Sequence, residues 1–385
     1  MAGSIRQRGK QSWEVRAFAG RDAETGKKRY VTRTVRGERR DAEVALGRLL
    51  GEIEDGQHAV RAGTVGDLCD RWYAHAAPDL SPTVAAEYRR LLDKRILPRW
   101  GDVPLRRLRT AELDQWYGDL RRTGGPGSSA LAPNTVLRAH AVLRRALAQG
   151  VKWGWLTVNP AANASPPRPK KQHIELPEPD EVTRLIEAAA KVNPSLPTYF
   201  RLAAATGARR GELCALRWKH IDFETRRVTI ARSIAEVGGQ LVEKDTKTHQ
   251  VRKVTIDEDT AAILVAHRAT CEGLAAKCEA HLSSSSFLFS HEVDFSTPWR
   301  PNYATLAFAR LRDELGLDGV TLHHLRHFSA TQLLCSGIDI RTVSGRLGHA
   351  NASTTLDVYA QFLEAADGRA ADVLGALLAP ADTIT

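Results

Sequence analysis

The chain has 385 residues, 43% hydrophobic and 26% charged, an ordinary balance for a protein with two or three folded cores. No apolar run approaches the roughly 18 residues that span a bilayer, and Arg6, Arg8 and Lys10 are followed by no apolar stretch of the secretory kind. Five scattered cysteines, an odd number, argue against a disulfide framework and fit a reducing cytoplasm.

The net charge of +10 is unevenly spread. Residues 1–40 hold 12 Lys/Arg against 4 Asp/Glu, a balance of +8, and residues 61–170 hold 18 against 9, a balance of +9. Residues 41–60 and 171–385 are net acidic, with 1 against 5 and 24 against 27. The basic excess therefore sits in the first 170 residues, where a polyanion is its natural partner.

Residues 1–60 read as a small module. Residues 13–19 and 29–36 alternate polar with apolar side chains, as strands do, and DAETG at 22–26 is a turn. Val44, Leu49, Leu50 and Ile53 then follow a helical period. Three strands and one helix are expected.

From Thr64 the pattern is helical. Residues 64–75 place Leu68, Trp72 and Tyr73 toward a core, and residues 83–96, 110–121 and 135–153 continue the series. Loops are expected at 98–103 and at the Gly/Ser-rich 123–129. The proline-rich stretch NPAANASPPRPKK at 159–171 reads as a linker, either a plain spacer or a joint between two domains that close on a rod-shaped ligand. Beyond it, Asp180 is an expected N-cap for a helix carrying Val182, Leu185, Ile186 and Ala189. Residues 227–234, 240–242 and 251–256 read as strands with a Gly238-Gly239 turn, and helices resume from Thr260. Near the end, Ala371, Val373, Leu374, Leu377 and Leu378 make an apolar helical stripe.

Four segments of the C-terminal half share one property: each offers a cation or a donor suited to phosphate. They are TGARRGELCALRW at 206–218, KTHQVRKV at 247–254, LHHLRH at 322–327 and LGHANASTTLDVY at 347–359. Arginine forks donate paired hydrogen bonds to phosphate oxygens and keep their proton. Two arginines and a histidine supply the positive charge that a metal supplies in other phosphoryl-transfer sites. A tyrosine hydroxyl, with a pKa near about 10, needs a cationic site or a base to act as a nucleophile.

In this order the four segments resemble the tyrosine recombinase family of phage-integrase type. The resemblance is strongest over 178–365 and extends to the helical part at 64–165. Residue by residue it implies Tyr359 as the nucleophile, Arg209 and Arg326 as the catalytic arginines, and His323 as the HxxR histidine. His349 matches the His/Trp position, Glu212 the acidic residue that supports Arg209, and Lys247 the general acid, with Lys244 and Lys253 as alternatives. One departure is His324, where related integrases usually carry Asp.

The resemblance further implies an α+β, mostly helical fold: an arm-type DNA-binding module at 1–60, a helical core-binding domain at 64–165, a linker at 166–177 and a mixed α/β catalytic domain with a tail helix at 178–385. It implies strand exchange through a 3′-phosphotyrosyl intermediate, with no cofactor and no metal. The expected partners are double-stranded attachment sites, three further copies of the chain on DNA, and accessory DNA-bending or directionality proteins. Expected DNA contacts are Arg6, Arg8, Lys10, Lys27, Lys28 and Arg29 in the module, Arg89, Arg90, Arg144 and Arg145 in the helical part, and Arg210 beside Arg209. A Xer-type resolvase, a type IB topoisomerase and a non-catalytic DNA-binding protein are the competing readings.

Two spacings raise the question of a metal site. His323 and His327 have ligand spacing at i and i+4, but no nearby carboxylate or cysteine completes a set. His267, Cys271, Cys278 and His281 fall along one helix over about 21 Å, too far for one ion, so an amphipathic helix is expected there.

Overall fold

The computed structural model describes residues 3–21, 27–54, 63–169, 176–246 and 251–348, with residues 368, 371, 372, 374, 375, 377 and 378. The chain packs as two compact units, Met1–Lys171 and Gln172–Thr385.

In the first unit, β1 (Gly3–Gly9), β2 (Ser12–Arg21) and β3 (Lys28–Arg36) form an antiparallel sheet in that order, followed by α1 (Arg39–Glu54). The period of two decides which face α1 covers. Val15, Ala17 and Ala19 point inward with Ile5, Val31 and Val35, against Ala42, Leu49 and Ile53. Arg6 and Glu14, and Arg16 and Thr32, pair on the opposite face.

The helices follow. α2 (Val65–Ala76) starts at a capping box in which Thr64 Oγ1 accepts from the Asp67 N–H at 3.1 Å and Asp67 accepts from the Thr64 N–H at 2.9 Å. α3 (Pro82–Leu91) runs through a π turn at Leu92–Ile96 into α4 (Leu97–Trp100). The loop expected from Pro98 onward thus begins only after Trp100. Pro98 sits in the first turn of α4, where a missing N–H is tolerated, so it does not break the run. α5 (Thr110–Thr123) and α6 (Pro133–Lys152) complete a core that includes Leu68, Trp72, Leu92, Trp100, Leu113 and Leu143.

The first part of the proline-rich stretch is packed. Ala161 is fully buried, Thr110 Oγ1 donates to Pro160 O at 2.7 Å, and the Ser165 N–H donates to Asp114 at 2.6 Å. Residues 170–175 lie outside the described part.

The second unit opens with α7 (Pro179–Ala189). Its N-cap is Glu178, with Pro179 at the first helical position, so Asp180 lies inside the first turn instead of capping it. α8 (Leu196–Thr206) and the short α9 (Arg210–Cys214) follow. The stretch expected as one strand at 227–234 divides at Ala231. β4 (Ile221–Asp222), β5 (Arg227–Ile230) and β8 (Arg252–Thr255) form one sheet, in the order β4-β5-β8. β6 (Arg232–Val237) and β7 (Gln240–Asp245) form a separate hairpin with Gly238 and Gly239 at its turn. α10 (Glu258–Ala276), α11 (Pro301–Leu315), α12 (His324–Cys335) and α13 (Ile340–Leu347) are the remaining α-helices before the tail residues. Tyr199, Phe200, Phe289, Trp299 and Phe308 fill the core of this unit.

Candidate active site: an arginine cluster around Glu212

The site is built where α8 ends. Gly207 takes a left-handed conformation (φ +61°) as the C-cap of α8, and a Cβ there would stand 2.3 Å from Leu347 Cδ2. The turn it makes sets Arg209 directly before α9. Glu212, one turn on, reaches back to cap that helix: the Arg209 N–H donates to Oε2 at 2.9 Å, and Arg209 Nη1 donates to Oε1 at 2.8 Å. Arg252 on β8 closes the carboxylate from the other side, Nη2 to Oε2 at 2.6 Å. Glu212 is 1% exposed. Burial alone would raise its pKa, but the hydrogen bond and charge of Arg252, with those of Arg209, outweigh it and hold the carboxyl below the ordinary range.

The remaining donors go to carbonyls at two helix ends. Arg326 Nη1 donates to Gly207 O at 2.6 Å, and Arg346 Nη2 donates to Ala205 O at 2.7 Å, both at the C-terminus of α8. Arg209 Nη2 donates to Gly348 O at 3.2 Å and Arg252 Nε to Arg346 O at 3.0 Å, both at the C-terminus of α13. Helix C-termini carry unpaired carbonyls and partial negative charge, so they are sites where guanidinium groups settle.

Two guanidinium groups, Arg209 and Arg252, thus share one carboxylate, and Arg326 feels its charge without a hydrogen bond to it. Arg326 is 3% exposed, and its Nη2 has no hydrogen-bond partner among the described residues. Burial first, then repulsion by Arg209, disfavours its charge, yet a guanidinium stays protonated at neutral pH. An anion placed here relieves that cost.

His323 lies just before α12, one turn from Arg326, so both face the same side. With Arg209, Arg210, Leu213 and Thr305 it lines a cavity of about 360 Å³. Its pKa is pushed down to about 4, first by burial and then by His327, Arg326, His324 and Arg209. It is therefore neutral at physiological pH. As a whole the residue is exposed.

The structure brings together Arg209, Glu212, His323 and Arg326. Lys247, His349 and Tyr359 lie outside the described residues. Of the alternatives to Lys247, Lys253 is exposed on the face of β8 opposite Arg252, while Lys244 sits on β7 opposite Ser233. Two members of the arginine network, Arg252 and Arg346, were missed by the sequence reading. A signal existed for Arg252. It shares strand parity with the buried Val254 and Ile256, so it is a charge on the core face.

Neither metal reading gains support. Among the described residues no group of three or more His, Cys, Asp or Glu is arranged to hold a metal ion. His327 packs edge-on against His323 at 4.8 Å, and His324 Nδ1 accepts from the Thr321 N–H. His267 donates to Leu288 O at 2.9 Å within the core, beside the buried Cys271, whereas Cys278 and His281 are exposed.

The expected DNA contacts divide by environment. Arg6, Lys10, Lys27, Lys28, Arg144 and Arg145 are exposed. Arg8 is paired with Glu14 at 2.9 Å, Arg89 with Asp70 at 2.7 Å and also with Asp93, and Arg90 with Glu87 at 2.7 Å. Arg29 is half-buried, with one guanidinium nitrogen out of solvent, so it does not stand with its exposed neighbours. Arg210 is exposed and donates to Thr305 Oγ1 at 2.9 Å and to Asn302. No helix among the described residues is long and apolar enough to cross a membrane.

A fold of this kind is shared with the Tn1549 transposon integrase solved in complex with a circular intermediate DNA: TM-score 0.66 and 20% identity, over 77% of this chain and 95% of that one. It is also shared with lambda integrase, solved as a tetramer bound to a Holliday junction: TM-score 0.54 and 20% identity, over 91% and 94%. These likenesses define the fold as that of the tyrosine recombinases. The sequence itself matches the Phage integrase family over 177–365 and the Phage integrase N-terminal SAM-like domain over 64–121. The ICEBs1 integrase of Bacillus subtilis is 24% identical over 97% of this chain and all of its own length. The chain belongs to the phage integrase family and is a DNA strand-exchange enzyme of the tyrosine recombinase type.

Proposed function

We propose that the chain is the integrase of a mobile element, cutting and rejoining double-stranded attachment sites with Tyr359 as its nucleophile. The observation that carries this reading is the excess of arginine over carboxylate around Glu212, opening on a cavity beside His323. Arg209 and Arg326 hold the non-bridging oxygens of the scissile phosphate, where charge develops in the transition state. Glu212 fixes Arg209 in that posture. His323, held neutral, takes the proton of the Tyr359 hydroxyl. The tyrosyl oxygen forms its bond to phosphorus as the bond to the 5′ oxygen breaks, and Lys247 protonates the leaving hydroxyl. His349 adds a donor to the same phosphate. Attack by the 5′ hydroxyl of a second duplex reverses the step and releases the tyrosine, with no cofactor consumed.

In this reading the sheet of residues 1–60 binds arm-type sites, and residues 64–165 bind the core site next to the cut. Residues 166–177 link them to the catalytic domain of 178–385, and the whole works in the cytoplasm on DNA. Two duplexes and four cuts call for four copies, and lambda integrase is a tetramer on its Holliday junction. The tail offers a means of linking them: Leu374, Leu377 and Leu378 lie on a helix and are 58%, 75% and 79% exposed. Such an apolar face suits a head-to-tail contact with the next copy. Accessory DNA-bending or directionality proteins would set the direction of the reaction.

The test is a nicked suicide duplex built from the DNA flanking the gene. The wild-type chain is expected to form a denaturation-resistant adduct, and Tyr359→Phe to bind the same duplex without forming one. An adduct from Tyr359→Phe sinks the assignment.

A further inference from the structure

We infer that Arg252 is a positioning residue for strand cleavage, setting the arginine cluster and the end of α13 in one register. The inference rests on the tyrosine recombinase reading above. Arg252 makes no use of solvent: it is 8% exposed, on the inward face of β8. Its guanidinium spans two structures. One edge grips Glu212 at 2.6 Å, and Glu212 in turn holds both the main chain and the side chain of Arg209. Its Nε holds Arg346 O at 3.0 Å, at the last turn of α13.

The fit at α13 is close. Gly348 caps the helix in a left-handed conformation (φ +68°), and a Cβ at that position would stand 3.0 Å from Arg252 Nη1. Arg209 Nη2 donates to the carbonyl of the same glycine at 3.2 Å. The chain that leaves Gly348 carries His349 at once and Tyr359 eleven residues on from Gly348. One buried guanidinium thus ties the residue that orients Arg209 to the point from which the nucleophile's segment departs. Neutralising Glu212 would need only a positive charge. Spanning a carboxylate and a helix-end carbonyl needs the planar fork, which lysine lacks.

The test uses full-length protein and the nicked duplex described above, following adduct formation in single turnover and core-site affinity separately. The informative pair is Glu212→Gln against Glu212→Gln with Arg252→Met, because both lack the Glu212 charge and they differ only in the Arg252 guanidinium. The double variant is expected to bind core DNA within about threefold of the single one and to cleave about 100-fold more slowly, the scale of a displaced catalytic group. Arg252→Lys alone is expected to cleave about tenfold more slowly than wild type at unchanged affinity, keeping charge but losing the span. Equal cleavage by the single and double variants would mean that Arg252 only neutralises Glu212, which overturns the inference. So would a wild-type rate for Arg252→Lys, which also decides the matter if the double variant does not fold. Parallel loss of binding and cleavage overturns it as well. The Tyr359→Phe control is separate: an adduct there defeats the reading of the reaction, whatever Arg252 does.

Discussion

The arginines of α3 and the arginines around Glu212 are the same residue type in opposite circumstances. Arg89 sits between Asp70 and Asp93, and Arg90 faces Glu87, all at least partly in solvent. Each cation there is matched by a carboxylate, and such exposed pairs contribute about 0–1 kcal/mol. Around Glu212 two guanidinium groups divide one carboxylate, and the buried Arg326 beside them turns to a main-chain carbonyl. A charge left unmatched in the interior costs several kcal/mol, roughly, unless an anion arrives. A count of basic residues does not separate the two regions. The ratio of cations to carboxylates, taken with burial, does.

The sharpest way to break this comparison is to keep the charge and remove the fork. Arg209→Lys and Arg326→Lys are each expected to slow cleavage by roughly 10²–10³-fold, or about 3–4 kcal/mol of transition-state stabilisation, with core-site binding largely retained. Single-turnover cleavage of the nicked duplex measures it. A lysine at either position that cleaves like wild type would show that charge alone suffices there.

The charge excess also predicts that the folded chain is stabilised by small anions. Sulfate binding only the native state at about 100 times its Kd adds roughly 2.7 kcal/mol. Because sulfate also strengthens burial generally, the variant Arg326→Met is the control. It is expected to keep the general gain and lose the excess over chloride at matched ionic strength, read as Tm of the full chain. Equal gains in both proteins would remove the anion site from the cluster.

A smaller effect follows from the histidines. His323 and His327 are both held down to about 4, by burial first and then by cationic neighbours. The unfolded chain takes up these protons near about pH 6.5, the folded chain only near 4. Stability supplied by these groups is therefore complete above about pH 6.5, falls as pH drops toward 4, and levels off below it. Their partial exposure makes the loss modest. Melting curves between pH 7 and 4 are expected to flatten in His327→Gln, and sulfate at the cluster, by favouring the protonated rings, is expected to make the fall smaller. A pH response identical in the wild type and His327→Gln would remove the histidine from this account.

Much of the site was legible because its residues follow local rules. Glu212 lies one helical turn from Arg209, and Arg326 one turn from His323, so spacing alone puts each pair on one face. Arg252 and Arg346 were not read. Their partners, Glu212 and two helix-end carbonyls, are 40 to 141 positions away in sequence, and only tertiary packing brings them close. The inward parity of Arg252 with Val254 and Ile256 was a visible clue, masked by the habit of treating strand cations as solvated. In the fold, strand and helix periods located most elements, while three junctions went astray. The π turn before Leu97 lets Pro98 open a new turn, Ala231 divides an apparently single strand, and the packed residues of 159–165 look like free linker because proline signals no partner. The last of these is decided by contacts distant in sequence.

The smallest expected effect belongs to the matched arginines, and it sharpens the comparison from the other side. Replacing Arg90 by alanine removes an exposed pair with Glu87, so stability should change by less than about 1 kcal/mol. If Arg90 exchanges Glu87 for a DNA phosphate on binding, affinity should fall alike for every DNA sequence tested. The slope of log K against log salt should then shrink by about one counterion. Arg145 is a useful contrast. It is exposed and lies over the Tyr88 ring at 5.6 Å, and it makes no ion pair with a described carboxylate, so it has no pair to give up. Arg145→Ala is therefore expected to cost more affinity than Arg90→Ala while cleavage from the bound state stays unchanged. Titrations of core DNA at several salt concentrations distinguish the two. Equal losses would mean that pairing with a carboxylate does not discount a surface arginine, and the division drawn between the two regions would then rest on burial alone.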